Sequence, residues 1–383
     1  MQASADPIVV AVLGPGRLGE THLAALARLR DRGLPVEGGT RRIEPALYGR
    51  NADRVRHLAD LFGIRRTSTD LYELIDDPAV AVVDNCLSNH LHYDPLMRAV
   101  ERGKHVFSEK PLTIELSEAV RLLRAADQAG LQHGVIQNMR YGAAPLKARE
   151  LLASGSVGRV FSVNVLFGYM VPRTVSNRPT WFYKKDEAGG GIIEDMMAHF
   201  FDLLRTLIGP IAGIYAAPGI AWTERREPDG TPFQVEVEDL ASVSIRFANG
   251  AVGNCFASWV RRKHEEVPSF QIDGEDGSLY FSLNRLWEQR QTRTPLFRYD
   301  ARQLQNDRID DWHSVPVELR DPFERQLEQF LQGVVAGKAA PGSPTWQDAV
   351  TNQRLIQAAY RSVVERREVS PDEISLEAAV GAR

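Results

Sequence analysis

Two hydrophobic periods run along this chain, and one gives way to the other near residue 141. Before that point, short apolar runs alternate with stretches whose apolar positions recur every three or four residues. The runs are "IVVAVLG" (8–14), "PALYG" (45–49), "AVAVVDNCLS" (79–88), "KHVFSEKP" (104–111) and "LQHGVIQNMRY" (131–141). Between them lie "RLGETHLAALARL", "GRNADRVRHLADLFG", "YDPLMRAVERG" and "SEAVRLLRAADQAG", each with helical spacing. Strands buried on both faces read as continuous apolar runs, and their alternation with helices predicts a parallel, doubly wound sheet. Beyond Tyr141 the pattern changes to one helix, "PLKARELLASGSVG", and then to strand-like runs. These are "GRVFSVNVLFGYM", "EDLASVSIRFANGAVGNCFASWV" and "FQIDGEDGSLYFSL", with Asn249-Gly250 as a hairpin turn. They predict an α+β domain with a large, open, mainly antiparallel sheet. The expected division is therefore an N-terminal α/β domain of the doubly wound (Rossmann) kind, 1–140, and a C-terminal α+β domain, 141–383. Two terminal helices, "DPFERQLEQFLQGVVAG" and "TWQDAVTNQRLIQAAYRSVVERR", should pack back on the body. The tail beyond Ser370 should be loosely held.

One helix interrupts the strands. In "GGGIIEDMMAHFFDLLRTLIG" (189–209), Ile193, Met197, Phe200, Leu204, Leu207 and Ile208 fall on one apolar arc at about 100° per residue. Asp195, His199, Asp202 and Thr206 form a narrow polar stripe beside it, because residues three or four apart share a face. Gly209-Pro210 stops the helix. Two readings stand side by side: a core helix with a wet polar edge, or a carboxylate–histidine pair able to move protons.

Length and composition narrow the classes. A chain of 383 residues exceeds one ordinary core, and 43% hydrophobic with 25% charged residues is a globular composition. A net charge of −4 supplies no electrostatic reason to expect nucleic acid or an anionic membrane as partner. The basic run Arg261–His264 is followed at once by Glu265-Glu266 and reads as a solvated strand end. Cys86 and Cys255 are the only cysteines, which argues against a disulfide framework or a cysteine-based metal site. The N-terminal stretch lacks a basic region before its short apolar run, so a cytoplasmic enzyme is the expectation.

The first strand leads into Gly14-Pro15-Gly16-Arg17-Leu18-Gly19, a G-x-G-x-x-G turn in strand–turn–helix context. Gly14 permits the tight turn, Gly16 lets backbone approach a pyrophosphate, and Gly19 lets helix and strand pack closely. NAD sites usually place a carboxylate at the end of the second strand. Here Gly49 stands there, followed by Arg50, Asn51 and Arg54. Nothing there repels a 2′-phosphate and a guanidinium is at hand, so NAD(P) with a lean to NADP is expected. Ligands bind at the carboxyl ends of such strands, which singles out Ser88, Asn89 and His92, Glu109-Lys110-Pro111, and Gln137, Asn138 and Arg140. The loop "VPRTVSNRPTWFYKKDEAGGG" adds Arg173, Arg178, Trp181, Tyr183 and Lys184 just ahead of the polar stripe. Aromatic faces and long donors suit a polyhydroxylated ring, although Trp181 reads equally as a core aromatic.

In order along the chain, these motifs resemble the glucose–fructose oxidoreductase/inositol dehydrogenase (Gfo/Idh/MocA) family. The glycine turn is followed by His22. The T-P-N-x-x-H strand end is matched at Asn89 and His92 but departs at Leu87 and Ser88. The E-K-P motif is intact at Glu109, Lys110 and Pro111, and the glycine-rich D-x-x-x-H helix is intact at Asp195 and His199, with Asp202 after it. The resemblance implies that Lys110, Asp195 and His199 meet at the nicotinamide as the catalytic residues. It also implies an oligomerising C-terminal sheet, and hence a homodimer or homotetramer. Alcohol oxidation asks for a base and a stabiliser of alkoxide charge. His199 oriented by Asp195, and Lys110, fit those needs; the sequence leaves open which takes the proton. Arg178, Trp181 and Tyr183 join them as candidate substrate contacts, and a sugar, glycoside or cyclitol is the expected substrate. Two rivals keep the same cofactor: a redox-neutral glycosidase with retained NAD(P), and a non-catalytic dinucleotide sensor. A metal on Asp195, His199 and Asp202 lacks the usual ligand spacing, and none is expected.

Overall fold

The computed structural model describes residues 6–174, 178–262, 266–294 and 311–376. Lys263 and His264 of the basic run, residues 175–177 of the aromatic loop and the tail from residue 377 lie outside the described residues.

The chain opens with β1 (Ile8–Leu13), α1 (Arg17–Arg32) and a ribbon of β2 (Leu34–Val36) and β3 (Gly39–Arg41). It continues through β4 (Ile43–Tyr48), α2 (Ala52–Phe62), β5 (Arg66–Ser68), α3 (Leu71–Asp76) and β6 (Val80–Asn85). Then come α4 (Tyr93–Glu101), β7 (His105–Ser108), α5 (Leu116–Gln128) and β8 (His133–Val135). Six of these strands form one sheet in the order β5-β4-β1-β6-β7-β8, and every neighbouring pair is parallel. This is the doubly wound sheet that the alternation predicts. Its strand order reverses at β1, so β1 and β6 carry the crevice where ligands bind such sheets.

The second part starts with α6 (Ala143–Ala153), β9 (Val160–Gly168), α7 (Lys185–Ala188), α8 (Ala198–Leu207) and β10 (Ile211–Gly219). A ribbon of β11 (Glu224–Arg226) and β12 (Pro232–Gln234) precedes β13 (Leu240–Phe247) and β14 (Val252–Ser258). β15 (Ser269–Gly274), β16 (Gly277–Phe281), β17 (Leu286–Arg290) and β18 (His313–Val315) follow, before α9 (Pro322–Ala336) and α10 (Trp346–Glu365). Eight strands make a sheet in the order β10-β13-β14-β9-β15-β16-β17-β18. Only the β9–β14 pair is parallel. Val163, Val165, Val243, Ile245, Phe270 and Ile272 of one face pack against Phe200, Phe201 and Leu204 of α8 and Ile356 and Ala359 of α10. The other face is open: Tyr215 and Val252 are exposed on it.

Helices from the end of the chain also pack on the first core, across the 140/141 boundary. Leu327, Phe330 and Leu331 of α9 pack with Leu23, Phe107 and Ile136 of the parallel sheet. Trp346, Ala349 and Val350, at the start of α10, pack with α5 residues, while Leu355 to Ala359 belong to the second core. Thus α10 runs from one core into the other, and the indole N–H of Trp346 donates to the Gly134 carbonyl at 3.1 Å. The terminal helices pack back on the body as expected. Of the tail beyond Ser370, the described residues 371–376 are tied to the body: Arg354 donates to the Pro371 carbonyl at 2.9 Å, and Arg367 pairs with Glu373 at 2.6 Å.

Candidate active site

Three strand ends and one helix converge above the parallel sheet. β7 is apolar and buried until Ser108, where it runs out into Glu109-Lys110-Pro111. The triglycine 189–191 then lets a helix start against the β13 approach. A Cβ on Gly191 would lie 1.9 Å from the Glu238 carbonyl oxygen, so only glycine permits that approach. The helix is not regular from its start, as the 3.6-residue pattern predicts. Ile193–Met197 form a π-helical turn before α8, a feature often found at functional sites.

Within that turn Asp195 meets Lys110. The Lys110 ammonium donates to Asp195 Oδ1 at 2.6 Å and to the Asp195 carbonyl at 2.7 Å, with both side chains mostly buried. Arg178 reaches the same carboxylate from the loop, its Nη2 lying 3.7 Å from Asp195 Oδ2. Its guanidinium lies over Trp259 and Phe182 and donates to the Tyr169 hydroxyl, while its buried Nη1 has no partner among the described residues. Burial alone raises the Asp195 carboxyl, but the charges of Lys110 and Arg178 bring it down to about 2.

His199 stands one turn on, nearly buried, with Nδ1 3.3 Å from Gln137 Oε1. No hydrogen bond joins Asp195 to His199 among the described residues. The expected orienting contact is therefore replaced by Gln137, because Lys110 occupies the Asp195 carboxylate. Burial, then the Lys110 charge, push the imidazole down to about 3. It is neutral at working pH, and with Nδ1–H donated to Gln137 its Nε2 lone pair is left to accept. A consequence is testable. kcat/KM in the oxidation direction should show no limb from His199 across neutral pH, and His199→Asn should lower the rate without reshaping the profile. A limb near neutrality that vanishes in His199→Asn would show that the imidazole titrates there.

The glycine turn fits a dinucleotide. A Cβ on Gly14 would lie 2.8 Å from the Cys86 carbonyl oxygen, and one on Gly19 would lie 1.9 Å from the Gly14 carbonyl oxygen. Gly16, by contrast, has open space before it and starts α1 with no side-chain cap. Gly16, Arg17 and Leu18 are exposed there, so the uncapped N–H groups of α1 face outward, as a pyrophosphate needs.

Comparison with known proteins now has a site to rest on. The family model described as "Oxidoreductase family, NAD-binding Rossmann fold" matches residues 8–137, and that described as "GFO/IDH/MocA C-terminal domain" matches 146–280. The chain belongs to the Gfo/Idh/MocA oxidoreductase family. It is 32% identical to the D-xylose dehydrogenase of Paenarthrobacter nicotinovorans, covering 94% of this chain and 96% of that protein. It is 26% identical to the myo-inositol 2-dehydrogenase of Thermotoga maritima, over 95% and 99% of the two chains. A levoglucosan dehydrogenase solved in complex with NADH shares the fold with a TM-score of 0.82 and 23% identity, covering 95% of this chain and 99% of that one.

Within this Gfo/Idh/MocA chain, the side chains of several residues singled out from the sequence meet other parts of the protein. Arg140 is buried and ion-paired with Asp202, and it also contacts Asp348 at 2.9 Å. Asp202, the third member of the polar stripe, is thereby taken into a junction between α8 and α10, with Asn352 donating to it at 3.0 Å. Thr206 bonds its own helix at the Leu203 carbonyl. His92 is buried between the carbonyls of Pro111 and Leu87, at 2.8 and 3.0 Å, and so positions the turn after Lys110. Glu109 points away from Lys110's ammonium. Its carboxylate takes His22 Nε2 at 3.2 Å, while Asp84 takes His22 Nδ1 at 2.9 Å. Burial works against the charged imidazole, but Asp84 foremost holds His22 protonated well above its usual range. His22, Asp84 and Cys86 bring ligand-type atoms within 4.8 Å of one another, and the imidazole is bonded to carboxylates on both sides.

Other expected residues divide. Ser88 opens the 3₁₀ turn Asn89–Leu91, and Asn89 donates to the Ala188 carbonyl at 2.9 Å, tying the parallel sheet to the loop before the helix. Asn138, partly exposed, starts the turn after β8. Asn51 caps α2 by accepting from Arg54 N–H, and Arg54 is paired with Glu20 and with the Pro15 carbonyl. Arg50 is exposed, with no side-chain partner among the described residues. In the loop, Trp181 is partly exposed and stacks on Phe182 at 4.2 Å. Tyr183 is 0% exposed, packed against Trp259 and Phe233, so it is a core residue rather than a substrate contact. Arg173 and Lys184 turn to Glu224 and Glu236. The residues missed from sequence are Gln137's link to His199, Trp259 and Glu194. The strand end pointed to Gln137, whereas nothing in the pattern marks Trp259.

Proposed function

We propose that the protein is an NAD(P)-dependent dehydrogenase that oxidises a secondary alcohol of a sugar, glycoside or cyclitol, or reduces the matching ketone. The observation that carries this reading is the meeting of Lys110, Asp195, Arg178 and His199 above the carboxyl end of the parallel sheet. Two Lys110 protons are held by Asp195, which aims the third at the reacting oxygen, where alkoxide charge develops. The neutral His199 Nε2 accepts a hydrogen bond from a substrate hydroxyl. Arg178, unpartnered at Nη1 and braced by aromatics, donates to others, while Trp181 offers a stacking face near the loop surface. A bound nicotinamide supplies the hydride acceptor or donor. Gly14, Gly16, Arg17, Leu18 and Gly19 would hold the dinucleotide's pyrophosphate, and Ser88, Asn89 and Asn138, in the turns after β6 and β8, would border the bound cofactor.

The relatives named above are a D-xylose and a myo-inositol dehydrogenase, which supports hydride transfer on a polyol over the glycosidase and sensor readings. The test is a panel of pentoses, anhydrosugars, glycosides and inositols with each cofactor, followed by nicotinamide absorbance. No turnover with any of them would sink the reading. We further assign the protein to the cytoplasm; among its described residues no helix is long and apolar enough to cross a membrane. Homodimers or homotetramers would form through the open face of the eight-stranded sheet.

For the cofactor, Arg50 supports NADP: it is the one guanidinium at the β4 end left without a side-chain partner among the described residues, while Arg54 is held by Glu20. Arg50→Ala should raise the dissociation constant of NADPH about tenfold and leave NADH within two-fold, since only NADP carries the 2′-phosphate. Equal losses in a fluorescence titration of both would remove Arg50 as the phosphate ligand.

A further inference from the structure

Lys110 also borders a small cavity of about 20 Å³, room for one water molecule. Its polar walls are Lys110, Gln137, Glu194, Asn352 and Gln353. Gln353 is 5% exposed; its amide N–H₂ donates to the carbonyls of Thr113 and Ile114, both at 2.7 Å. Its Oε1 is buried and has no donor among the described residues. Glu194, the residue before Asp195, is 6% exposed, and no hydrogen bond or ion pair holds its carboxyl among the described residues. An apolar side chain there would continue the buried face of Ile193 and Met197. A carboxyl group without a partner is costly at such a place, so its presence calls for a role.

We propose that Glu194 is the proton store of this site, taking up across the cavity the proton that the substrate hydroxyl releases at Lys110. This rests on the dehydrogenase reading of Lys110. In the oxidation the C–H bond breaks and the hydride, with its electron pair, goes to the nicotinamide ring. The Lys110 ammonium first gives one of the protons it shares with Asp195 to the cavity water, and the amine so formed takes the proton from the breaking O–H bond. A single water passes a proton on, and the Glu194 carboxylate becomes a carboxylic acid. Ketone reduction runs the same path backwards. Gln353 Oε1 and Gln137 supply the polar wall that such a water requires.

The electrostatics fit a store that loads and unloads near neutral pH. Burial is the largest influence on Glu194 and raises it. Lys110 lowers it, while Glu238, Asp195 on its own turn and Glu115 raise it, and the net result is a carboxyl pushed up to about 8. The Tyr360 hydroxyl, from α10, donates to Glu238 at 2.9 Å beside it. An acceptor must be ionised before the step, so oxidation should quicken as pH rises through about 8 and reduction should slow.

The experiment is the pH profile of kcat for sugar oxidation in the wild type and in Glu194→Gln. Below about pH 8 the wild-type rate should rise about tenfold per pH unit, then level. In Glu194→Gln that limb should vanish, with KM for the sugar and cofactor affinity within two-fold. A limb that survives in Glu194→Gln overturns the proposal and leaves the dehydrogenase reading standing. Difference infrared spectroscopy of the intact wild type, free of substrate, gives an independent readout. A protonated-carboxyl band should disappear with a midpoint near 8, and its absence overturns the proposal even if Glu194→Gln fails to fold. A titrating band in a protein that turns over no sugar or cyclitol counts against the dehydrogenase reading, and so against the proton's source.

Discussion

Replacing Lys110 by alanine should lower kcat by about 10² or more, the scale of losing a positioned donor to developing oxyanion charge. Among the described residues the side chain is the one cation that both touches Asp195 and borders the cavity lined by Glu194, so none of them stands in for it. Arg178 remains beside Asp195, 3.7 Å away, which keeps that carboxylate from being stranded. Folding should therefore survive. The dissociation constant for the dinucleotide should move no more than a few-fold, because the cofactor is gripped mainly at the glycine turn. Lys110→Arg should restore little, since a planar guanidinium cannot place one proton where an ammonium places three. Steady-state kinetics beside a cofactor fluorescence titration separates the two effects. Near-normal kcat in Lys110→Ala would remove the lysine from the chemistry.

Arg140→Ala should instead cost stability, about 3–5 kcal/mol, the range for breaking a buried ion pair from one side. Arg140 is 6% and Asp202 1% exposed, so the mutation strands a carboxylate whose remaining side-chain donor among the described residues is Asn352. The same guanidinium also reaches Asp348 at the start of α10, so the loss loosens the helix that runs through both cores. The double change Arg140→Met with Asp202→Asn should recover most of the loss, because no buried charge is then left unpaired. Denaturant unfolding of the three proteins measures it. The folded fraction of Arg140→Ala should bind NADH and NADPH within two-fold of wild type. A tenfold weaker grip with stability unchanged would return Arg140 to the cofactor site, where its strand-end position first placed it.

Strand ends in a parallel sheet are legible because the sheet's hydrophobic runs stop where the chain turns outward. Lys110, Asn89 and Gln137 were visible for that reason. The position of a residue just past a strand does not tell which way its side chain turns. Glu109 follows Ser108 as directly as Lys110 follows Glu109, yet it turns inward to a protonated His22. Arg140 and His92 likewise stand just past strand ends, and their side chains meet Asp202 and the Pro111 carbonyl. The aromatic loop shows the same limit. Trp181 and Tyr183 are two residues apart; the first is partly exposed and the second is fully buried against Trp259, which lies far along the chain.

What the sequence determined by itself is whatever depends on neighbours in the chain. That covers the alternation of apolar runs and helices, the glycine turn, the hairpin at Asn249-Gly250, and the spacing that puts Asp195 and His199 on one side of a helix. The tertiary structure decided which of those side chains meet. Asp195 belongs to Lys110 and not to His199, because the ammonium at the end of β7 arrives at the carboxylate and the imidazole is caught by Gln137 from the end of β8. The same packing moves the proton chemistry. Burial beside Lys110 takes His199 down to about 3, while burial beside Glu238 and Asp195 takes Glu194 up to about 8. Proton affinity is set by how much water is excluded and which charges face the group, and both are properties of contacts between distant segments.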